Sequence, residues 1–367
     1  MVCVEATGAI FRVMREEYGN PSSLHYKGRR AAAALETARN SIAETLGSRP
    51  NEVFFTSGGT ESDNWAVFGA CEASERRGKH IVTSAIEHDA VAEPIKKLER
   101  MGWEVTYIMP DSHGRIPADE FAKALRDDTT FASIMLVNNE TGAVNPIGEY
   151  ASEIKRRKLA TILHTDAIQG YCKIPFTVKS LGAALVTLSA HKIHGPKGVG
   201  ALYIKAGTKL PPLILGGGHE DGKRAGTEAL PAIAGFGEAA RTCSIRLEET
   251  AADIRKMRDY IIKRLMEDIP ETVIIGDGDS PYILSLSLPG HKGEVLMSFL
   301  ESEGICVSRS AACKKGARSR VLEAMRLRND VIDGALRVSF SRYNSMDEAD
   351  FFIRTLKKAS QMLFKRG

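Results

Sequence analysis

Short apolar runs rich in β-branched residues, separated by longer stretches with helical spacing, recur through the first two-thirds of the 367-residue chain. That alternation narrows the fold more than any other feature. Runs at 52–56, 80–84, 104–108, 131–137, 162–165, 184–188 and 200–204 read as seven strands. Several are apolar on both faces, as suits central strands of a sheet covered by helices on each side. Helical patterns such as 27–46 and 90–101 lie between them. The alternation predicts an α/β fold, with a mostly parallel seven-stranded sheet sandwiched between helices in a large domain.

Beyond a charge-laced helical region at about 229–268 the pattern changes. The run 283–288 alternates with period two, as in a sheet buried on one face. A helix at 294–303, short strands at 305–307 and 335–340, and a closing helix at 347–365 follow. Cys306, apolar-flanked inside the strand at 305–307, is assigned to packing. These elements predict a smaller C-terminal α+β domain over 246–367, after a large domain over 1–245 whose first residues are free to pack on the smaller one.

Composition excludes several classes. Hydrophobic residues make up 43% and charged residues 26%, ordinary for a globular chain and unlike a disordered or collagen-like one. A net charge of +4 is too small at this length to make nucleic acid or a membrane surface the main partner. The six cysteines include no C-x-x-C, so neither a zinc ribbon nor a thioredoxin-like motif is expected, and their scatter suits a reducing cytosol. With no apolar run near the ~18–20 residues that cross a bilayer and no signal-peptide pattern at the start, a soluble cytoplasmic protein is expected.

The chemistry concentrates at strand ends. Lys192, in Ser189-Ala190-His191-Lys192-Ile193-His194-Gly195-Pro196-Lys197-Gly198, lies just past the carboxyl end of an apolar strand, where α/β sheets place their ligands. A lysine there can form a Schiff base with an aldehyde cofactor, although taken alone it reads more simply as a solvated loop lysine. Asp166 ends the preceding strand, about one strand–helix–strand step away. Such a carboxylate can keep a pyridine nitrogen protonated, or simply cap a helix. Thr56-Ser57-Gly58-Gly59-Thr60-Glu61-Ser62 opens a helix after a strand, and its glycines leave backbone N–H groups free to crowd an anion. A glycine turn before a capped helix is the plainer reading. Glu87-His88 and Asn138-Asn139 end two further strands. His191-x-x-His194 offers no third ligand by spacing, so no metal site is expected.

These segments, in this order, resemble the motifs of the cysteine desulfurases, pyridoxal phosphate enzymes of the class V aminotransferase family with fold type I architecture. The resemblance extends through Gly19-Asn20-Pro21-Ser22-Ser23, Gly216-Gly217-Gly218-His219-Glu220, Arg224-x-Gly226-Thr227 and Arg337-Val338-Ser339-Phe340, over nearly the whole chain. It implies that Lys192 is the Schiff-base lysine, that Asp166 meets the pyridinium nitrogen, that Gln169 bonds the ring hydroxyl and that His88 stacks on the ring and moves protons. Gly59, Thr60, Ser189 and His191 would hold the phosphate, joined by Thr227 from the second subunit of a homodimer. Asn139 would face substrate and cofactor, and Arg337 would grip the substrate carboxylate in a bidentate fork.

Cys313 matches the family's nucleophile, which implies conversion of L-cysteine to L-alanine with an enzyme persulfide whose sulfur passes to an acceptor protein. Lys314, Lys315, Arg318 and Arg320 follow it, and nearby cations favour the attacking thiolate. The resemblance leaves that acceptor open, whether an iron–sulfur scaffold or a tRNA-thiolation enzyme. The chain departs from the family at Ser308-Arg309-Ser310-Ala311-Ala312-Cys313, usually S-S-G-S-A-C, and at Asp221, where a basic residue is common. It is also expected to begin inside the helix that follows the family's Y-L-D-N-A-A-T-T strand. Two alternatives stay open: a related pyridoxal phosphate enzyme, such as a selenocysteine lyase or an aminotransferase with Cys313 incidental, or an N-terminally truncated protein of impaired turnover.

Overall fold

A computed structural model describes residues 1–309 and 318–363. The chain divides into two compact units. The first comprises residues 1–108, 118–136 and 145–247, and the second 109–117, 137–144 and the chain from 248 on.

The first unit is built on a seven-stranded sheet of β1 (Val53–Thr56), β2 (His80–Ser84), β3 (Glu104–Ile108), β4 (Thr129–Ser133), β5 (Ile162–Asp166), β6 (Leu185–Ser189) and β7 (Gly200–Ile204), in the order β1-β7-β6-β5-β4-β2-β3. The pairs β3/β2, β2/β4, β4/β5 and β5/β6 are parallel, whereas β7 runs antiparallel to both neighbours. Strands β1, β2, β4, β6 and β7 are buried along their whole length, while β3, on the edge, is half exposed. The expected strand at 131–137 is thus shorter and shifted. Its apolar remainder, 134–137, falls outside the regular strand and is buried, although the Ile134 and Leu136 N–H groups still bond the His164 and Asp166 carbonyls of β5 at 3.3 and 2.9 Å.

Helix Gly59–Ser74 lies on the sheet and supplies Trp65, Val67 and Ala70 to a core that includes Phe54, Ile81 and Phe131. Helix Val4–Glu16 packs on helix Leu230–Ile245 through Ala9, Val13, Leu230 and Ala234, with Ala31 of helix Tyr26–Leu46 completing the cluster. Small residues permit that close approach: a Cβ on Gly237 would stand 2.6 Å from the Ala38 Cα.

The second unit has an antiparallel sheet, β10-β11-β9-β8, made of β8 (Val273–Ile275), β9 (Ile283–Ser287), β10 (Ser308–Arg309) and β11 (Ala335–Ser339). Leucines of β9 and β11 pack against helices Leu247–Asp268, Gly293–Ser302 and Met346–Met362. Three expectations change here. The strand placed at 305–307 forms at Ser308–Arg309, and Cys306 is exposed rather than packed. β9 is buried on both faces: on its serine side the Ser287 hydroxyl donates to the Val331 carbonyl at 2.6 Å, while the Ser285 hydroxyl is buried without a hydrogen-bond partner among the described residues. β8 is an additional strand.

Two segments from the first half of the chain also belong to this unit. Asp279 joins them: its carboxylate takes the Arg115 fork, with Nε at 2.8 Å, and accepts the Val144 N–H at 3.0 Å. Among the described residues, no helix is long and apolar enough to cross a membrane.

Candidate active site

Strand direction assembles one rim of the first unit's sheet. β1 and β6 are both antiparallel to β7, so β1 points the same way as β6 and its parallel partners. The carboxyl ends of β1, β2, β5 and β6 therefore face the same edge, which brings Gly59-Thr60, His88, Asp166 and Ser189-Ala190-His191-Lys192 to one side. The parallel part also changes direction at β2, flanked by β3 and β4, the switch geometry at which such sheets bind ligands.

Asp166 is the last residue of β5 and only 4% exposed. One carboxylate oxygen, Oδ1, accepts the Ile168 N–H at 2.8 Å, so the turn-capping role is real. Burial raises its pKa above the ordinary value, opposed by that bond and by the proximity of His88 and Lys192. His88 caps helix Asp89–Arg100, its Nδ1 accepting the Ala90 N–H at 3.1 Å, which leaves the neutral ring's proton on Nε2. Lys192 ends the single turn Ala190–Lys192. That turn is closed by the Ile193 and Gly195 N–H groups on the Ala190 carbonyl, and a Cβ on Gly195 would lie 2.9 Å from the same oxygen. Lys192, His88 and Asp166 thus come together within one unit.

Around them is an anion cradle. Helix Gly59–Ser74 has no side-chain cap, so its first N–H groups and its dipole face the rim. A Cβ on Gly59 would sit 2.1 Å from Ile168 Cδ1 and 3.6 Å from Ser189 Cβ, so the loop backbone presses on the turn after Asp166. Ser189 Oγ and His191 Nδ1 are 2.9 Å apart. Burial lowers the His191 pKa, and the charges of Lys192, Lys173 and Lys197 lower it further. Glu61 accepts the Ser57 N–H at 2.9 Å and the Arg224 Nε at 2.8 Å; these bonds outweigh burial and hold it below the usual carboxylate range. Thr60 and Thr227 are exposed, and Gln169 is half-buried with its Oε1 accepting from Lys173 Nζ at 2.9 Å.

Asn139 and Arg337 belong to the second unit. Arg337, in the middle of β11, donates from Nη1 to the Asn139 carbonyl at 2.9 Å. Cys313, Lys314 and Lys315 lie outside the described residues. Arg318 is committed elsewhere, its fork gripping Asp333 at 2.7 and 2.9 Å and its Nη1 reaching Asn329 at 2.8 Å.

The sequence reading missed a buried group of titratable side chains beside Asp166. Asp63 and His164 are completely buried, and Glu87 nearly so. Burial, together with the negative Asp166 and Glu87, pushes Asp63 well above the ordinary carboxyl range. Glu87 is held by the Ser84 hydroxyl at 2.5 Å and the Met135 N–H at 3.0 Å. A signal was available: His164 and Asp166 are two apart on one strand and so share a face.

The family model for aminotransferase class V matches residues 2–352. The chain belongs to the class V aminotransferase family. It is 39% identical over 363 residues to the cysteine desulfurase IscS of Methanosarcina thermophila, covering 98% of this chain and 89% of that protein. It is also 39% identical over 354 residues to the cysteine desulfurase IscS of Dictyoglomus turgidum, covering 95% and 89%. Among solved structures, a NifS-like protein superposes with a TM-score of 0.93 at 37% identity over 99% of this chain and 97% of that one. SspA in complex with cysteine gives 0.81 at 30% identity over 94% and 97%.

Pyridoxal phosphate is the cofactor of this family. The residues at the rim are of the kinds that group requires. Lys192 is an amine close enough to act on the buried Asp166 carboxyl, and the helix end at Gly59, with no side-chain cap, leaves backbone N–H groups for an anion near Ser189 and His191.

Proposed function

We infer that the chain is a pyridoxal phosphate-dependent cysteine desulfurase, converting L-cysteine to L-alanine and keeping the sulfur as a persulfide on Cys313. The observation that carries this reading is the meeting of Lys192, His88 and buried Asp166 at one rim, in a chain related along nearly its full length to cysteine desulfurases. When bound, the cofactor supplies an electron sink for the charge left as the substrate's α-proton departs. Asp166 keeps a ring nitrogen positive, and its buried setting strengthens that interaction. Lys192 Nζ takes the α-proton and returns it, with His88 Nε2 as the second proton carrier. Gln169 bonds the ring oxygen, while Gly59, Thr60, Ser189 and His191 hold the phosphate together with Thr227 of a second copy in a homodimer.

Arg337 takes the substrate carboxylate, and Asn139 lines the same place. The Cys313 thiolate attacks the substrate sulfur: a sulfur–sulfur bond forms, the carbon–sulfur bond breaks, and the carbon is protonated to give alanine. A sulfur acceptor, an iron–sulfur scaffold or a tRNA-thiolation enzyme, then takes the terminal sulfur. Scattered free cysteines suit such work in a reducing cytoplasm.

Given L-cysteine and a thiol reductant, the purified protein is expected to release alanine and sulfide in equal amounts. Cys313→Ala is expected to stop both while the cofactor stays bound. Sulfide release undiminished in that variant contradicts the nucleophile assignment.

A further inference from the structure

We propose that Lys173 is a positioning residue, which by holding the Gln169 carbonyl oxygen turns the Gln169 amide nitrogen toward the cofactor's ring oxygen and keeps it a donor there. This rests on the reading that Lys192 carries the cofactor and Gln169 meets its ring.

A primary amide can turn over end for end and offer either a donor or an acceptor. At Gln169 that freedom is removed. An ammonium has three donors and no acceptor, so at 2.9 Å from Lys173 Nζ the amide presents its oxygen, and its nitrogen points the other way. A ring oxygen that bears negative charge needs a donor, and the inverted amide would set oxygen against oxygen.

The chain between the two residues is shaped for this contact. After Asp166, the Gly170 and Tyr171 N–H groups bond the Ala167 carbonyl at 2.9 and 2.8 Å, and the Lys173 and Ile174 N–H groups bond the Gly170 carbonyl at 3.0 Å. Between these turns Cys172 sits at φ 51°, a left-handed conformation unusual for a side-chain-bearing residue. Such strain persists only where the surroundings enforce it. The anchors are Tyr171, 1% exposed with its hydroxyl 2.6 Å from that of Thr45, and the buried Cys172 thiol against the Ala240 carbonyl. The left-handed step returns the chain so that Lys173 lies beside Gln169.

The test uses the holoenzyme of five variants and reads the cofactor's absorption spectrum and dissociation constant. A charge-assisted bond of ordinary strength corresponds to about a tenfold effect. Lys173→Met is expected to weaken cofactor retention by about that factor and to shift the absorption band toward the form with a protonated ring oxygen. Lys173→Arg, which donates equally well, is expected to match the parent protein. Gln169→Glu keeps an acceptor for Lys173 but has no donor for the ring, so it is expected to show the Lys173→Met spectrum with unreduced thermal stability. In Lys173→Met combined with Gln169→Ala, the loss is expected to equal that of Gln169→Ala alone.

An unchanged spectrum and dissociation constant in Lys173→Met overturns the proposal. So does a parent-like Gln169→Glu, or losses that multiply in the double variant. Failure of the underlying reading looks different: the parent protein itself would bind no cofactor.

Discussion

His164 Nε2 lies 3.5 Å from Asp63 Oδ1, with both side chains completely buried, yet the two are not an ion pair. Burial pushes the imidazole down to about 3, and burial together with Asp166 and Glu87 pushes the Asp63 carboxyl up, so each is held neutral. His164 is bonded instead to hydroxyls, Ser133 at 2.8 Å and Thr187 at 3.0 Å. Keeping Asp63 neutral leaves Asp166 free to be the site's anion.

This arrangement costs stability with a definite sign. Asp63 ionises near 3.9 in the unfolded chain and higher in the fold, so the folded state holds the extra proton and stability falls as pH rises above about 4. Asp63→Asn removes that slope. The variant is expected to unfold at a higher temperature than the parent, with a gap that widens as pH rises above about 4. A gap that narrows over that range would show Asp63 to be ionised in the fold. His164 acts in the opposite sense. The unfolded chain takes a proton below about 6.5 that the fold refuses down to about 3, so stability from this group is lost as pH falls through that window.

Replacing Asp166 by Asn separates stability from turnover. The buried carboxylate is costly to the fold, and the amide can still accept the Ile168 N–H. Thermal stability without cofactor is expected to hold or rise, while kcat for alanine formation drops by about a hundredfold or more, the usual effect of removing a preorganised charge partner. Turnover within a few fold of the parent would remove Asp166 from the site.

Arg337→Lys addresses substrate binding. One end of the fork is spent on the Asn139 carbonyl, which sets the guanidinium plane for a carboxylate. Lysine keeps the charge but loses the planar pairing, so KM for L-cysteine is expected to rise by about tenfold with a smaller change in kcat. Unaltered KM contradicts the assignment.

Two glycines make a graded pair. A Cβ on Gly59 meets the flexible end of Ile168, whereas a Cβ on Gly200 lands 2.7 Å from the Gly58 carbonyl carbon and 2.7 Å from the Leu188 oxygen, both backbone. Both Ala variants are expected to lose about 1–3 kcal/mol of stability, as overpacking does. Gly200→Ala is expected to lose more, because backbone cannot step aside. Cofactor retention should fall in both, read by fluorescence or equilibrium dialysis.

Much of this was legible in the sequence. The large sheet could be read because its strands are apolar runs buried on both faces, and runs such as 80–84 and 200–204 have one physical explanation. Where apolar sequence outlasts the regular strand, as at 134–137, burial alone could not say where the strand ends. The three-residue β8 was too short to carry a period. At β9 Ser287 mimicked a solvent face, because a hydroxyl satisfied by a backbone carbonyl has the same letter as one facing water. The strand-end motifs located Lys192, His88 and Asp166, but not Asp63 or Lys173. Those two act through pairs distant in sequence or through a turn whose left-handed step at Cys172 has no glycine to advertise it.

The most direct test of the central claim is to reduce the cofactor-loaded protein with borohydride, digest it and sequence the pigmented peptide. The expected result is a single labelled residue, Lys192, with labelling lost in Lys192→Ala. Pigment fixed to a different lysine, or no pigment at all, would contradict it.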